Sequence, residues 1–205
     1  MSALVLLALL APAGDAGAVL KSLEQAGRAL RTLRAAFVET KVIVLLDEKS
    51  ESRGELLMQI PGRLRWNYKT PQESAMLIKD GRFARYFPKS KQVFRGEAKG
   101  EADLLVGFGP GAAGLGNKYE VTLLPDESVA GIPAWVLELK PRAGAGVFAG
   151  IRLWVDKQRS VPVQTRLLEP TGDHTTIRFE ATVINGTLPP DAFELKLPRD
   201  VVEVK

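Results

Sequence analysis

The stretch GELLMQIPGRLRWNYKTP, Gly54 to Pro71, decides how the rest of the chain is read. Two alternating segments meet at Pro61-Gly62, the composition of a tight turn between strands. Successive strand side chains point to opposite faces, so Leu56, Met58 and Ile60 share one side before the turn. After it Leu64, Trp66 and Tyr68 share a side, while Arg63, Arg65, Asn67 and Lys69 face water. So large an aromatic and aliphatic face must lie on a second layer or on a ligand.

Upstream, Val19 to Arg34 reads as an amphipathic helix, with Leu20, Leu23, Ala26, Gly27, Leu30 and Leu33 recurring at steps of three and four. Downstream the chain prefers strands. SAMLIK, RFARYF and KQVFR follow, parted by turn signals at Asp80-Gly81 and Pro88-Lys89-Ser90. EADLLV, Glu101 to Val106, reads as one short helix before a Gly- and Ala-rich loop. Strands then resume with YEVTLL, AWVLELK, GIRLWVD, VPVQTRLL and HTTIRFEATVI, and a Pro-punctuated tail closes the chain. In HTTIRFEATVI the alternation puts Ile177, Phe179, Ala181 and Val183 on one face. Strands at about ten-residue spacing with tight turns imply an antiparallel meander. A sheet this long curls or closes. With so little helix to fill it, the curl holds either an ordinary core or a cavity.

The 205 residues suit one domain, and 45% hydrophobic with 25% charged residues is ordinary globular composition. The formal charge of +4 is spread among both signs and argues against a nucleic-acid partner. There is no cysteine, which removes disulfides and thiolate chemistry together. Ala3 to Ala11 is a short apolar run followed by small residues at Ala11-Pro12-Ala13 and Ala16-Gly17-Ala18, the pattern of a cleaved export signal over residues 1–18. No Lys or Arg precedes the run. The expectation is one exported domain over residues 19–205, held together by packing alone.

The combination G-x-L-x-x-x-x-P-G-R-x-R-W-x-Y-x-x-P at Gly54 to Pro71, with LIKDGRFARYFPKSKQV at Leu77 to Val93 and LPPDAFELKLPRDVVEV near the end, resembles the outer-membrane lipoprotein carrier (LolA) family. The resemblance spans nearly all of the chain after the leader. It implies an α+β, mainly β fold, an unclosed antiparallel β-barrel with an α-helical lid over an apolar cavity. It implies a monomeric periplasmic carrier without catalysis or cofactor. Such a carrier accepts lipoprotein acyl chains from an inner-membrane ABC lipoprotein-releasing transporter and passes them to an outer-membrane acceptor, LolB-like or of another kind. On that reading Leu56, Met58, Ile60, Leu64, Trp66 and Tyr68 from the strands, with Leu20, Leu23 and Leu30 from the helix, line the acyl-chain cavity. Arg63, Arg65 and Lys69, with Lys89 and Lys91, are either solvated strand faces or a basic rim for docking to an acidic partner or to lipid headgroups. In one position the chain departs from the family: an Arg stands before the Pro of the bend in well-studied members, where this sequence has Ile60. The expectation is a more apolar cavity and a lid without a hydrogen-bonded latch.

Other motifs point elsewhere and are weaker. Gly109-Pro110-Gly111-Ala112-Ala113-Gly114 fits G-x-G-x-x-G, but Pro110 interrupts it and a strand follows where a dinucleotide site needs a helix. It reads instead as a flexible loop near the lid. His174, the only histidine, cannot assemble a metal site alone and reads as a solvated turn residue. It is the one candidate base for the competing reading, a lipid hydrolase. Asn185-Gly186-Thr187 is a glycosylation sequon of little weight in an exported bacterial chain. A carrier of another lipid or glycolipid, and a periplasmic lipid sensor, stay open beside the lipoprotein reading.

Overall fold

A computed structural model describes residues 15–98, 105–142 and 147–204. The leader up to residue 14 and most of the expected short helix, residues 101–104, lie outside them. Helix α1 spans Ala16–Ala29 and a single turn, α2, spans Leu115–Lys118. The strands are β1 Thr32–Ile43, β2 Glu48–Gln59, β3 Arg63–Thr70, β4 Ser74–Lys79, β5 Arg82–Phe87 and β6 Gln92–Glu97. After α2 come β7 Tyr119–Val129, β8 Ile132–Pro141, β9 Gly150–Asp156, β10 Pro162–Leu168, β11 His174–Ile184 and β12 Val202–Val204.

Among the described residues these twelve strands form one sheet in the order β12-β6-β5-β4-β3-β2-β1-β11-β10-β9-β8-β7. Neighbours in sequence pair antiparallel through short turns, as a meander requires. Two pairings break the simple order. β1 is flanked by β2 and by β11, which joins the two halves of the chain. β12 returns through the long tail to lie parallel to β6. The end strands β7 and β12 do not pair with each other, so the sheet is curled but unclosed.

Helix α1 is shorter than the apolar spacing predicts. Asp15 caps it, its carboxylate accepting from the Gly17 amide at 2.8 Å. The expected boundary at residue 18 therefore falls inside its first turn. The helix stops at Ala29, because Asn185 at the end of β11 captures the departing backbone. The Asn185 side-chain oxygen accepts from the Arg31 amide at 2.7 Å, and its side-chain nitrogen donates to the Ala29 carbonyl at 3.1 Å. Leu33 therefore belongs to β1, where Leu33, Ala35 and Phe37 are buried at a period of two. A helical and a strand stripe run together at this joint, and spacing alone does not separate them.

β11 carries a second correction. Ala181 has φ 47° and the pairing with β1 slips by one residue there. That bulge reverses the alternation: Ile177 and Phe179 point inward, but Val183 is exposed and Ile184 takes the inner side.

Arg65 does not face free water either. It donates to the Asn67 side chain at 2.8 Å and to the carbonyls of Ala192 and Glu194 at 3.2 and 2.9 Å. The C-terminal tail is thereby held against the outer face, where Ala192, Phe193 and Leu188 cover Leu57 and Leu77.

The concave face holds two adjoining apolar clusters. One joins Val19 and Leu23 of α1 to Val106, Leu115 and the inner faces of β7 to β10. The other joins Leu30, Leu105 and Phe108 to Leu33, Phe37, Leu56, Met58, Leu64 and Trp66 on the first three strands.

Candidate apolar ligand site

The segment 105–112 and α1 together cover the mouth of the curl. Contact between them is close because Gly27 has no side chain. A Cβ there would stand 2.6 Å from the Gly109 carbonyl oxygen and 2.9 Å from Ala112 Cβ. The segment is no open phosphate loop: Val106, Phe108, Gly109 and Ala112 are buried, and Phe108 meets Phe179 edge-on with centroids 5.0 Å apart. A literal G-x-G-x-x-G match thus serves as a hydrophobic plug, with Gly109 at φ 48° where a Cβ would strike Ile60 Cδ1 at 2.9 Å.

Between this cover and the strands lies an apolar pocket of about 290 Å³. Met58, Ile60, Leu64 and Ile78 give its sheet wall, and Leu105, Phe108, Pro110 and Gly111 its cover. Gly62 and Gly81, in the turns beside it, and Arg63 stand at the rim. A hollow of about 410 Å³ on the outer face is lined in part by Gln59, Arg63, Lys79 and Glu194, and its polar character sets it apart from the inner pocket.

The pocket brings together three of the strand residues picked from alternation: Met58, Ile60 and Leu64. Leu56 and Trp66 lie deeper in the same cluster, with Leu30 beside them and Tyr68 packed at its edge. Leu23 belongs to the other cluster, and Leu20 packs against that one as well. Ile78, Leu105 and Phe108 line the pocket as well, beyond the residues expected from the sequence. Ile78 alternates inward in SAMLIK and Leu105 falls in the segment expected to be a short helix, but Phe108 sits in a Gly- and Ala-rich loop without periodicity. Of the basic residues, Arg63 reaches the rim, Arg65 fastens the tail, Lys69 is exposed near the far end of β3, and Lys91 pairs with Asp200.

Below the pocket the interior closes with an aromatic cluster. Phe37 and Trp66 have centroids 5.0 Å apart, Phe37 and Tyr68 5.1 Å. The Trp66 ring nitrogen is buried without a hydrogen-bond partner. The Tyr68 hydroxyl donates to the Glu39 carboxylate at 2.9 Å. Burial, then the Glu39 charge, pushes the Tyr68 hydroxyl upward in pKa, so it remains a proton donor. No cluster of acidic or histidine side chains suited to a metal ion occurs among the described residues, and His174 is half-buried at the first position of β11.

Fold and site together define an open β-barrel protein with an apolar pocket under a helical cover. The chain belongs to the outer-membrane lipoprotein carrier family: the family described as Outer membrane lipoprotein carrier protein LolA matches residues 28–196. An outer-membrane lipoprotein carrier protein of Chromobacterium violaceum is 27% identical over 173 residues, 83% of this chain and 80% of that one. One from Legionella pneumophila is 27% identical over 181 residues, 86% and 85% of the two chains. Among solved structures, an uncharacterized conserved protein from Thermus thermophilus superposes with a TM-score of 0.61 at 13% identity, covering 93% of this chain and 99% of that one. The Pseudomonas aeruginosa MucA/MucB complex gives 0.56 at 21% identity over 89% of this chain, which spans 62% of the matched chain. These structures share the fold.

Proposed function

We propose that the protein is a periplasmic carrier that shields lipoprotein acyl chains in the apolar interior of its open barrel, without catalysing a reaction. It takes cargo from an inner-membrane ABC transporter and yields it to an outer-membrane acceptor. Exposing an acyl chain to water costs roughly 0.8 kcal/mol per methylene, so lipid-bearing cargo needs an escort across an aqueous gap. Family membership supports the reading. The observation that carries it is the pocket of about 290 Å³ walled by Met58, Ile60, Leu64 and Ile78 on one side and by Leu105, Phe108 and Pro110 on the other.

That volume lies at the lower end of ligand sites, which run from about 300 to 1,000 Å³. It has room for part of one chain. Taking in more of the cargo requires the cover to move.

The test is displacement of an environment-sensitive fluorescent fatty acid by a triacylated lipopeptide. Ile78→Asp, which puts a charge on the pocket wall, should weaken probe and competitor by about tenfold or more. Unchanged affinity would remove the pocket from the function. Mass spectrometry of gently purified protein then identifies the cargo. Triacylated peptide supports the lipoprotein reading, and a free lipid or glycolipid supports the second reading, for which the apolar Ile60 in the pocket wall is the ground.

A further inference from the structure

The hairpin between β1 and β2 projects from the barrel. β2 pairs with β1 as far as Glu48 but with β3 only as far as Arg53, so residues 48–52 overhang the neighbouring strand. At its tip a 3-10 turn presents Val44, Leu45 and Leu46, which are 55%, 92% and 64% exposed. Leu45 is the most exposed large hydrophobic residue described. The tip is held in place: the Val44 amide donates to the Asp173 carboxylate at 2.9 Å, tying it to the turn between β10 and β11.

Leu168 and Val147, two more exposed aliphatic residues, belong to the same end of the barrel. Leu168 pairs with His174, which in turn pairs with Val42 at the root of the tip. The Ala149 amide, close behind Val147, bonds to the Leu168 carbonyl at 2.8 Å. Among the described residues, five of the seven exposed large hydrophobics thus gather at one end, opposite the pocket, which opens beside the turn after β2. Single exposed aliphatics are common, but a contiguous group on a projecting turn marks an interaction site.

We infer that this end is a membrane-attachment surface, with the Val44–Leu46 turn inserting into a fluid lipid bilayer. A protein partner fits poorly. A stable interface takes about 800 Å² from each side, whereas the apolar part of this tip is three residues flanked by the charged Lys41, Asp47, Glu48 and Lys49. A bilayer needs no matching shape. It accepts aliphatic side chains below its headgroups while long lysine stems keep their charges in water. The collar carries both signs, and Lys41 stands 4.0 Å from Glu169. Attachment is therefore driven by apolar insertion and depends little on lipid charge. Anchored this way, the barrel stands with its pocket directed away from the bilayer.

Because the chain contains no cysteine, the test is clean. The full chain carrying Leu45→Cys is labelled with an NBD fluorophore and mixed with phosphatidylcholine vesicles, with or without phosphatidylglycerol. The expected result is a several-fold rise in emission with either vesicle, and none for a label at Gln158→Cys, which lies in the exposed turn after β9. Leu45→Asp should lower vesicle co-sedimentation by about tenfold while leaving fatty-acid probe affinity unchanged, which keeps this outcome separate from that of the pocket. Binding that Leu45→Asp does not reduce, or an unresponsive label at position 45, overturns the inference. So does a label that brightens with protein concentration alone, which would assign the tip to a second copy of the chain.

Discussion

Glu39 and Trp66 show how far single residues in the interior depart from what their type suggests. Burial lifts the Glu39 carboxyl above its ordinary value of 4.5, against the Tyr68 hydrogen bond and the charges of Arg85 and Lys41. A carboxyl raised in the folded state contributes stability below its unfolded value and loses it as pH climbs through the folded one. Glu39→Gln keeps an acceptor for the Tyr68 hydroxyl and abolishes the charge. It should melt above the parent at about pH 7, with the gap closing as pH falls through the folded value toward 4.5 and gone below it. A gap constant with pH, followed by calorimetry, would place Glu39 in solvent. Trp66 is fully packed yet leaves its ring nitrogen unpaired. Removing an unsatisfied donor offsets part of the lost contact area, so Trp66→Phe should cost less than about 1.5 kcal/mol in urea unfolding. Trp66→Ala, which leaves a cavity, should cost about 3–5 kcal/mol. A Trp66→Phe cost well above about 1.5 kcal/mol would mean that the ring nitrogen has a partner. Alternation alone put Trp66 and Tyr68 inside, and that was legible. Which inward side chains stop at the aromatic cluster and which reach the pocket depends on the cover, and nothing in the strand itself records it.

At the scale of elements, the middles of most strands were legible because period-two alternation and Asp-Gly or Pro-Gly turns agree there, while β2 begins earlier, at Glu48, and β7 runs to Val129, five residues past YEVTLL. The errors fall where two signals overlap or none exists. Leu30 and Leu33 continue the helical spacing into β1, and only Asn185, far away in sequence, ends the helix. The bulge at Ala181 flips half of β11 without a glycine to announce it. In the cover, residues 107–112 have neither helical nor strand periodicity, and their burial comes from contact with Gly27, Ile60 and Phe179. Ile60 sits under Gly109 where a latching Arg would reach loop carbonyls. Ile60→Arg should supply donors to that loop and slow fatty-acid probe uptake in stopped flow several-fold, at some cost in stability from burying a charge. An uptake rate equal to the parent's would deny position 60 any part in gating.

The whole molecule divides the work between a continuous sheet and a cover that is not part of it. The sheet is tied from β12 to β7 by backbone ladders. α1 and residues 105–112 contribute no strand and rest on side-chain contacts with the two clusters. Segments held by packing without a shared ladder open at lower free energy than the ladders do. A ligand too large for about 290 Å³ must therefore spend part of its binding energy on lifting the cover, and the sheet has no reason to change. Hydrogen exchange with and without a bound triacylated lipopeptide resolves this. Amides of residues 16–29 and 105–112 should exchange faster in the complex, while those of β1, β2 and β11 at the centre of the sheet keep their protection. Protection lost across the central strands instead would mean that the barrel itself spreads, and that the division between rigid sheet and movable cover is wrong.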